Sequence, residues 1–230
     1  MSSLRLRGMD QKLFFLINRQ WTSPLLDRLM AALSSLDFWM PLLLVLIVAL
    51  LVFGGFKARA FLVTAVLTVI VTDSIVVATL KKLVNRPRPT QVEAARVVML
   101  KKTTPRTLGV FHPVKVKISK PKPDQGPIVG VSFPSGHTSN NFAVGVVLTA
   151  FYPRRGWLFF LMAAGISYSR IYTGSHWPTD VAASVVLGVG LGLLMVWACK
   201  NAWARWAGSV APSLYRRHPH LLEERIKIAP

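Results

Sequence analysis

The chain has 230 residues, 52% of them hydrophobic, with 28 Lys and Arg against 9 Asp and Glu, a formal net charge of +19. At a mean hydropathy of +0.44, a water-soluble globule could not hide this much apolar surface, so the bilayer is its expected solvent. The charges sit in loops and tails between apolar runs, which sets nucleic acid aside as a partner and points to the anionic headgroups of a phospholipid bilayer.

One membrane domain spanning 1–230 is expected. Cys199 is the sole cysteine, so no disulfide can close within the chain. The apolar run 13–17 is too short for a signal peptide, and Asn18-Arg19-Gln20 ends it without a small-residue cleavage site. Residues 9–36 alternate at helical spacing, with Leu13, Leu16, Ile17, then Leu25, Leu29, Met30 and Leu33 on the apolar side. Asn18, Arg19, Asp27 and Arg28 make a spanning helix costly. The stretch therefore reads as two amphipathic helices lying in the interface, broken near Pro24, with one distorted extra span as the alternative.

Apolar spans are expected at 38–56, 60–80, 138–152, 157–172 and 179–200. Asp73 lies inside the second span, eight residues before Lys81, and reads as a structural partner for a polar group near the site. Residues 201–230 read as an amphipathic tail, with Trp197, Trp203 and Trp206 at headgroup level. The fold class is thus all-helical: a polytopic membrane bundle of about five to six spans, with a β-hairpin in its extramembrane loop.

That loop, 86–133, carries ten basic residues from Arg86 to Lys122 and only Glu93 and Asp124 as acids. Residues 114–118 alternate with period two and predict a strand; Pro121, Pro123, Gly126 and Pro127 predict a turn, and 129–133 the partner strand. A loop of this length serves as a lid, a binding surface or a solvated connection. Counting spans places it on the same side as the amino terminus and His176. The short basic loops at Lys57/Arg59 and Arg154/Arg155, with the tail, take the other side. The short loops carry the orientation signal, so their side is expected to be cytoplasmic and the site extracytoplasmic, in a multi-pass plasma (inner) membrane protein.

Three polar clusters flank these spans. Lys81 ends a helix that Asn85 and Pro87 stop, and Arg88 follows; together they can approach a phosphate from two directions, although basic residues at a helix end can equally be snorkelling anchors. Pro134-Ser135-Gly136-His137 precedes an apolar helix. Free N–H groups there bind anions, Gly136 permits close approach and Ser135 can donate a hydrogen bond; an ordinary serine cap would use the same residues. Ser169-Arg170 leads to His176 and Asp180, with Pro178 suited to a helix's first turn. If the helix extends back to His176, Asp180 can bond one ring nitrogen and leave the other free to attack. Two histidines and an aspartate could also hold zinc, but the surrounding cations would repel it.

Lys81-x6-Arg88-Pro89, Pro134-Ser135-Gly136-His137 and Ser169-Arg170-x5-His176-x3-Asp180 resemble, in order and without departure, the three signature motifs of the type 2 phosphatidic acid phosphatase superfamily. The flanking spans resemble its small bacterial membrane members, such as undecaprenyl pyrophosphate phosphatases. The resemblance implies a lipid phosphatase that needs no metal or cofactor. In it His176 is the nucleophile, Asp180 orients it, and His137 protonates the leaving oxygen. Lys81, Arg88, Ser135, Gly136 and Arg170 hold the phosphate oxygens. The implied partner is a membrane lipid substrate: undecaprenyl pyrophosphate first, then lipid A phosphate, phosphatidylglycerol phosphate or phosphatidic acid. A phosphotransferase to a lipid acceptor and a non-catalytic headgroup-binding protein are the other readings.

Overall fold

The periodic start of the chain forms α1 (Ser2–Phe15), which runs into a π-helical turn at Leu16–Gln20, and then α2 (Pro24–Ser34). Pro24 holds the first position of α2 behind Ser23, whose hydroxyl accepts the Leu26 N–H at 3.2 Å. This computed structural model describes residues 2–121 and 130–222. Of the four polar residues that suggest an interfacial location, Arg19 and Arg28 are exposed, but Asn18 and Asp27 are buried. Asn18 is 0% and Asp27 5% exposed. Each is fully partnered, which is the condition for burying a polar group. Asp27 accepts the Tyr172 hydroxyl at 2.6 Å and holds both guanidinium nitrogens of Arg96.

α3 (Leu36–Val52) leaves α2 at a 53° bend, and none of its residues is buried. Leu42, Leu44 and Val45 are 59%, 62% and 66% exposed, an apolar surface that only lipid can cover without cost. α4 (Phe56–Ile70) passes through a π-helical stretch at Val71–Val77 into α5 (Ala78–Val84), where Asn85, in the left-handed region at φ 45°, ends it. After Arg88, Pro89 opens the short α6 (Pro89–Val92).

The loop beyond holds an antiparallel pair of strands, β1 (Arg96–Met99) and β2 (Lys115–Ile118), with Arg96 opposite Ile118 and Met99 opposite Lys115. β2 lies where period two predicted it, but its partner differs. Residues 130–133 are not strand, and of the expected turn Pro123, Gly126 and Pro127 lie outside the described residues, as does residue 129 of the expected partner strand. Long-range polar contacts select β1. The Asn18 side chain donates to the Arg96 carbonyl and accepts its N–H, both at 2.8 Å. Residues 130–132 run instead beside 85–86, where the Gly130 N–H donates to Asn85 Oδ1 at 2.7 Å and the Ser132 N–H to the Arg86 carbonyl at 2.9 Å.

α7 (Gly136–Phe151) is the axis of the bundle, packed by α4, by α8 (Phe159–Tyr172) and above all by α9 (Pro178–Val210). Ser184, Gly188 and Gly192 form a stripe along α9 that lets the two backbones close. A Cβ at Gly188 would sit 2.5 Å from the Ser139 carbonyl oxygen, and one at Gly192 2.7 Å from that of Ala143. Among the described residues, Phe56–Val92 and Pro178–Val210 are long and apolar enough to cross a bilayer, and α2 with α3 make a third crossing if the bent pair is one span. α7 and α8, at 16 and 14 residues, are shorter than the roughly 20 that a full crossing takes.

α9 does not stop at Lys200 as expected. It continues ten residues to Val210, and α10 (Pro212–Arg217) follows. The end away from His176 is closed by Phe56, which stacks on His218 at 4.2 Å and lies 5.1 Å from Trp203. Lys57 sits over Tyr152 there, so the short basic loops and the chain's last described residues share one end, as the span count requires.

Candidate active site

At the opposite end, four helix termini and two loops bring the polar clusters together. Lys81 lies in the last turn of α5. Arg170 lies in the last turn of α8, where one terminal nitrogen bonds the Ser34 hydroxyl and, at 3.3 Å, the Ser34 carbonyl. Arg88 comes in on extended backbone just before α6. The Nε atoms of Arg88 and Arg170 are buried and have no hydrogen-bond partner. A buried, unpaired guanidinium N–H is costly unless an acceptor arrives, and an anion's oxygen is the acceptor that suits it.

His176 precedes α9, whose cap is Trp177, so the helix does not extend back to it. The ring is 3% exposed and its Nδ1 lies 2.6 Å from the Ser132 carbonyl oxygen. A carbonyl only accepts, so Nδ1 carries the proton and Nε2 keeps its lone pair. Burial, then the charges of Arg170 and Arg88, hold His176 well below the ordinary imidazole range, against the Ser132 carbonyl, which acts the other way. The imidazole is therefore neutral at physiological pH and stands among cations, the state a nucleophile needs.

Asp180 does not bond the ring, contrary to the expected direct contact. It accepts the Ser132 hydroxyl at 2.5 Å, an Arg86 guanidinium N–H at 2.5 Å and the Trp177 N–H at 3.1 Å. With Trp177 at the cap, Asp180 faces back over the first turn of α9 to that N–H rather than to His176. Its influence on the ring passes through Ser132, whose hydroxyl it holds while the Ser132 carbonyl holds His176. Arg86 in turn bridges Asp180 to Asp10 of α1 at 2.5 Å, and Asp10 caps α9 by accepting the Thr179 N–H at 3.0 Å.

At the third cluster, Ser135 is the cap of α7 and 0% exposed. Its Oγ accepts from the Thr138 hydroxyl at 3.1 Å and, at 3.5 Å, from the Thr138 N–H, which leaves its own proton free to donate. Capping and anion binding are compatible here. Gly136 is buried against Asp73, whose Oδ1 would lie 2.9 Å from an added Cβ. Asp73 also accepts from Asn140 at 3.3 Å and acts electrostatically on Lys81 and His137, the structural place expected for it. Arg170, Lys81 and Arg88 all lie within electrostatic reach of both His137 and His176. Among the described residues no three His, Cys, Asp or Glu side chains gather into a metal-ligand set.

All eight residues expected from the sequence fall at this end of the bundle. Four that matter were missed: Asp10, Ser34, Arg86 and Ser132. Arg86 reads as one more charge of a basic loop. Asp10 had one usable signal: with only 9 acids among 230 residues, an acid in an amphipathic helix is worth asking about.

Residues 61–204 match the PAP2 superfamily. The chain is 27% identical over 187 residues to a lipid A 4'-phosphatase of Bacteroides thetaiotaomicron, covering 80% of this chain and 74% of that protein. It is 42% identical over 66 residues to the bacitracin transport permease protein BcrC of Bacillus licheniformis, covering 29% of this chain and 32% of that one. It is 41% identical over 68 residues to an undecaprenyl-diphosphatase of Sulfolobus acidocaldarius, covering 28% and 32%. The chain thus spans about a third of the length of these last two relatives. Among solved structures it is similar to Aquifex aeolicus LpxE, with a TM-score of 0.53 and 26% identity over 81% of this chain and 94% of that one.

Proposed function

The chain belongs to the PAP2 superfamily, and from that premise we propose that it hydrolyses a membrane lipid phosphate or pyrophosphate through a phosphohistidine. His176 Nε2 attacks the phosphorus, and the N–P bond forms as the P–O bond to the lipid breaks. His137 gives its proton to the departing oxygen, then takes one from the water that attacks the phosphoenzyme. That second attack breaks the N–P bond, frees inorganic phosphate and restores His176. Lys81, Arg88, Arg170, the Ser135 hydroxyl and the N–H of Gly136 receive the equatorial oxygens, where charge spreads in the transition state. No cofactor enters these steps.

The observation that carries this reading is His176 itself: buried, held by Nδ1 on the Ser132 carbonyl, neutral, and standing beside two guanidinium groups whose Nε atoms lack a partner. Acid-quenched incubation with a labelled lipid phosphate should trap a phosphohistidine in the wild type and none in His176→Ala, with turnover persisting in excess chelator. Turnover by His176→Ala, or loss in chelator restored by zinc or magnesium, defeats the mechanism.

A lipid A-type phosphate is the first substrate reading, because the alignment that runs through most of both proteins is with a lipid A 4'-phosphatase. Undecaprenyl pyrophosphate is the second, supported by shorter matches to the undecaprenyl-diphosphatase and BcrC. The protein works in the plasma (inner) membrane with its site on the extracytoplasmic face, since the short loops at Lys57/Arg59 and Arg154/Arg155 lie at the other end. The basic loop 86–133 guides the anionic headgroup toward the site.

A further inference from the structure

Asp73 stands in a costly place. It lies within the Phe56–Val92 crossing, about 12 Å along the helix from Lys81 at 1.5 Å per residue, and it is exposed. An ionised carboxylate at such a depth is retained where it has a task and a partner. Hydrogen bonding does not explain it. The bond it accepts from Asn140 is long, at 3.3 Å, and an asparagine at position 73 could accept it as well. What asparagine could not supply is the negative charge.

The fold aims that charge at the first turn of α7. The π-helical stretch Val71–Val77 re-aims its side chains relative to the α-helix on either side. Asp73 Oδ1 meets both Gly136, where an added Cβ would lie 2.9 Å from it, and Asn140. Gly136 and Asn140 are one turn apart on one face of α7, and His137 lies beside that face. Among the described residues, three cations and one acid act on the His137 imidazole. Burial and Arg170 oppose a proton there, Asp73 favours one, and Lys81 and Arg88 oppose it. The cations come from α8, from α5 and from the segment before α6, and the acid comes from the π-helical stretch. Yet the first step requires that proton, because His137 gives it to the departing oxygen.

We propose that Asp73 is a positioning residue for the reaction: its carboxylate, seated against the first turn of α7, is the counter-charge that keeps a proton on His137 among the phosphate-binding cations. That proton passes from His137 to the leaving oxygen in the first step, and one returns from the attacking water in the second. Asp73 itself neither gives nor takes a proton; it acts through His137. This rests on the phosphohistidine reading above and deepens it. Gly136 belongs to the device, since the absence of a side chain there is what lets the carboxylate come so near the helix.

The test uses the full chain in detergent and measures single-turnover formation of the phosphohistidine. The substrates are a lipid monophosphate, whose alkoxide leaves badly, and an activated aryl phosphate, which leaves without an acid. With the lipid, the alkaline limb of the pH profile reports loss of the His137 proton. Removing the negative charge weakens the hold on that proton, so Asp73→Asn should move the limb to lower pH by about one unit. Above the limb the lipid reaction should slow about tenfold, while the aryl reaction changes by less than about twofold. A role in packing alone would slow both substrates alike and leave the limb in place. A second variant separates charge from shape: Asp73→Cys combined with Cys199→Ser, which removes the natural cysteine. Alkylation with iodoacetate then places a carboxylate at position 73, and iodoacetamide an amide of the same size. The first adduct should hold the limb near its wild-type place and the second should not. An unmoved limb in Asp73→Asn, equal losses on the two substrates, or equal profiles for the two adducts overturns the proposal and leaves the phosphatase reading in place. Absence of a phosphohistidine in the wild type overturns both.

Discussion

Ser132→Ala removes one hydroxyl and tests how Asp180 reaches the nucleophile. The Ser132 carbonyl that holds His176 Nδ1 at 2.6 Å survives the substitution; the 2.5 Å bond from its hydroxyl to Asp180 does not. Ser132 and Asp180 are both 0% exposed, so no water replaces that bond freely. A hydrogen bond to a charged group is worth about 1.5–3 kcal/mol. If the whole of it serves to keep the 132 carbonyl on the imidazole, the rate falls by roughly 10- to 150-fold. The loss should appear in kcat, on a lipid phosphate and on a small aryl phosphate alike, because Ser132 contacts neither substrate. Asp180→Asn should lose at least as much. The double variant should be no worse than Asp180→Asn alone, since both changes cut one path. Phosphate release with purified protein measures the rates, and thermal unfolding confirms that each variant folds. Near-wild-type kcat in Ser132→Ala beside a dead Asp180→Asn would refute the indirect path and return Asp180 to direct action on the ring.

Arg86→Leu takes the cation from Asp10 and Asp180 while their bonds to Thr179, Ser132 and Trp177 remain; breaking a buried pair costs about 3–5 kcal/mol, and because the Arg86 side chain is 28% exposed the expected loss is nearer about 2 kcal/mol, read as a lowered denaturation midpoint. Asp10→Asn in that background should add little, and full additivity would show that no shared network exists. The acid limb of the pH–rate profile should lie below the ordinary histidine value of about 6.5, because His176 resists protonation. Arg170→Gln removes a positive charge that opposes that protonation, so the limb should move to higher pH even as the rate drops; an unmoved limb would detach it from His176. Neutralising Lys115, Lys117 and Lys120 on and after β2, together with Lys122, should raise KM for a lipid phosphate more at low than at high salt, since exposed charges are screened within about 8 Å at physiological ionic strength. It should leave kcat on an aryl phosphate unchanged, and a KM independent of salt would make the loop a plain connection.

What the linear chain determined here is what neighbours in sequence can settle. The apolar runs specify helices because no other backbone satisfies itself in lipid. Asn85 and the prolines at 87 and 89 stop one helix and start another by local sterics. Ser135 caps α7 whatever its partners, and the spacing of Lys81 to Arg88 and of Arg170 to His176 places cations and imidazole at helix ends. The resemblance carried by those spacings named the family, and residues 61–204 match it.

Only the folded chain decided which atoms meet. The partner of β2 is β1 and not 129–133, because Asn18 and Asp27, 69 or more residues away from Arg96, hold that strand against α1 and α2. The same two residues looked like interface markers, since a polar side chain in sequence carries no sign of the partner that will bury it. His176 leans on a backbone carbonyl 44 residues back, and a carbonyl is present at every position, so no residue type could announce it. Asp180 has two oxygens and several donors within reach. Its choice of Ser132, Arg86 and Trp177 over the imidazole follows from where α9 begins and from how closely Gly188 and Gly192 let it lie on α7.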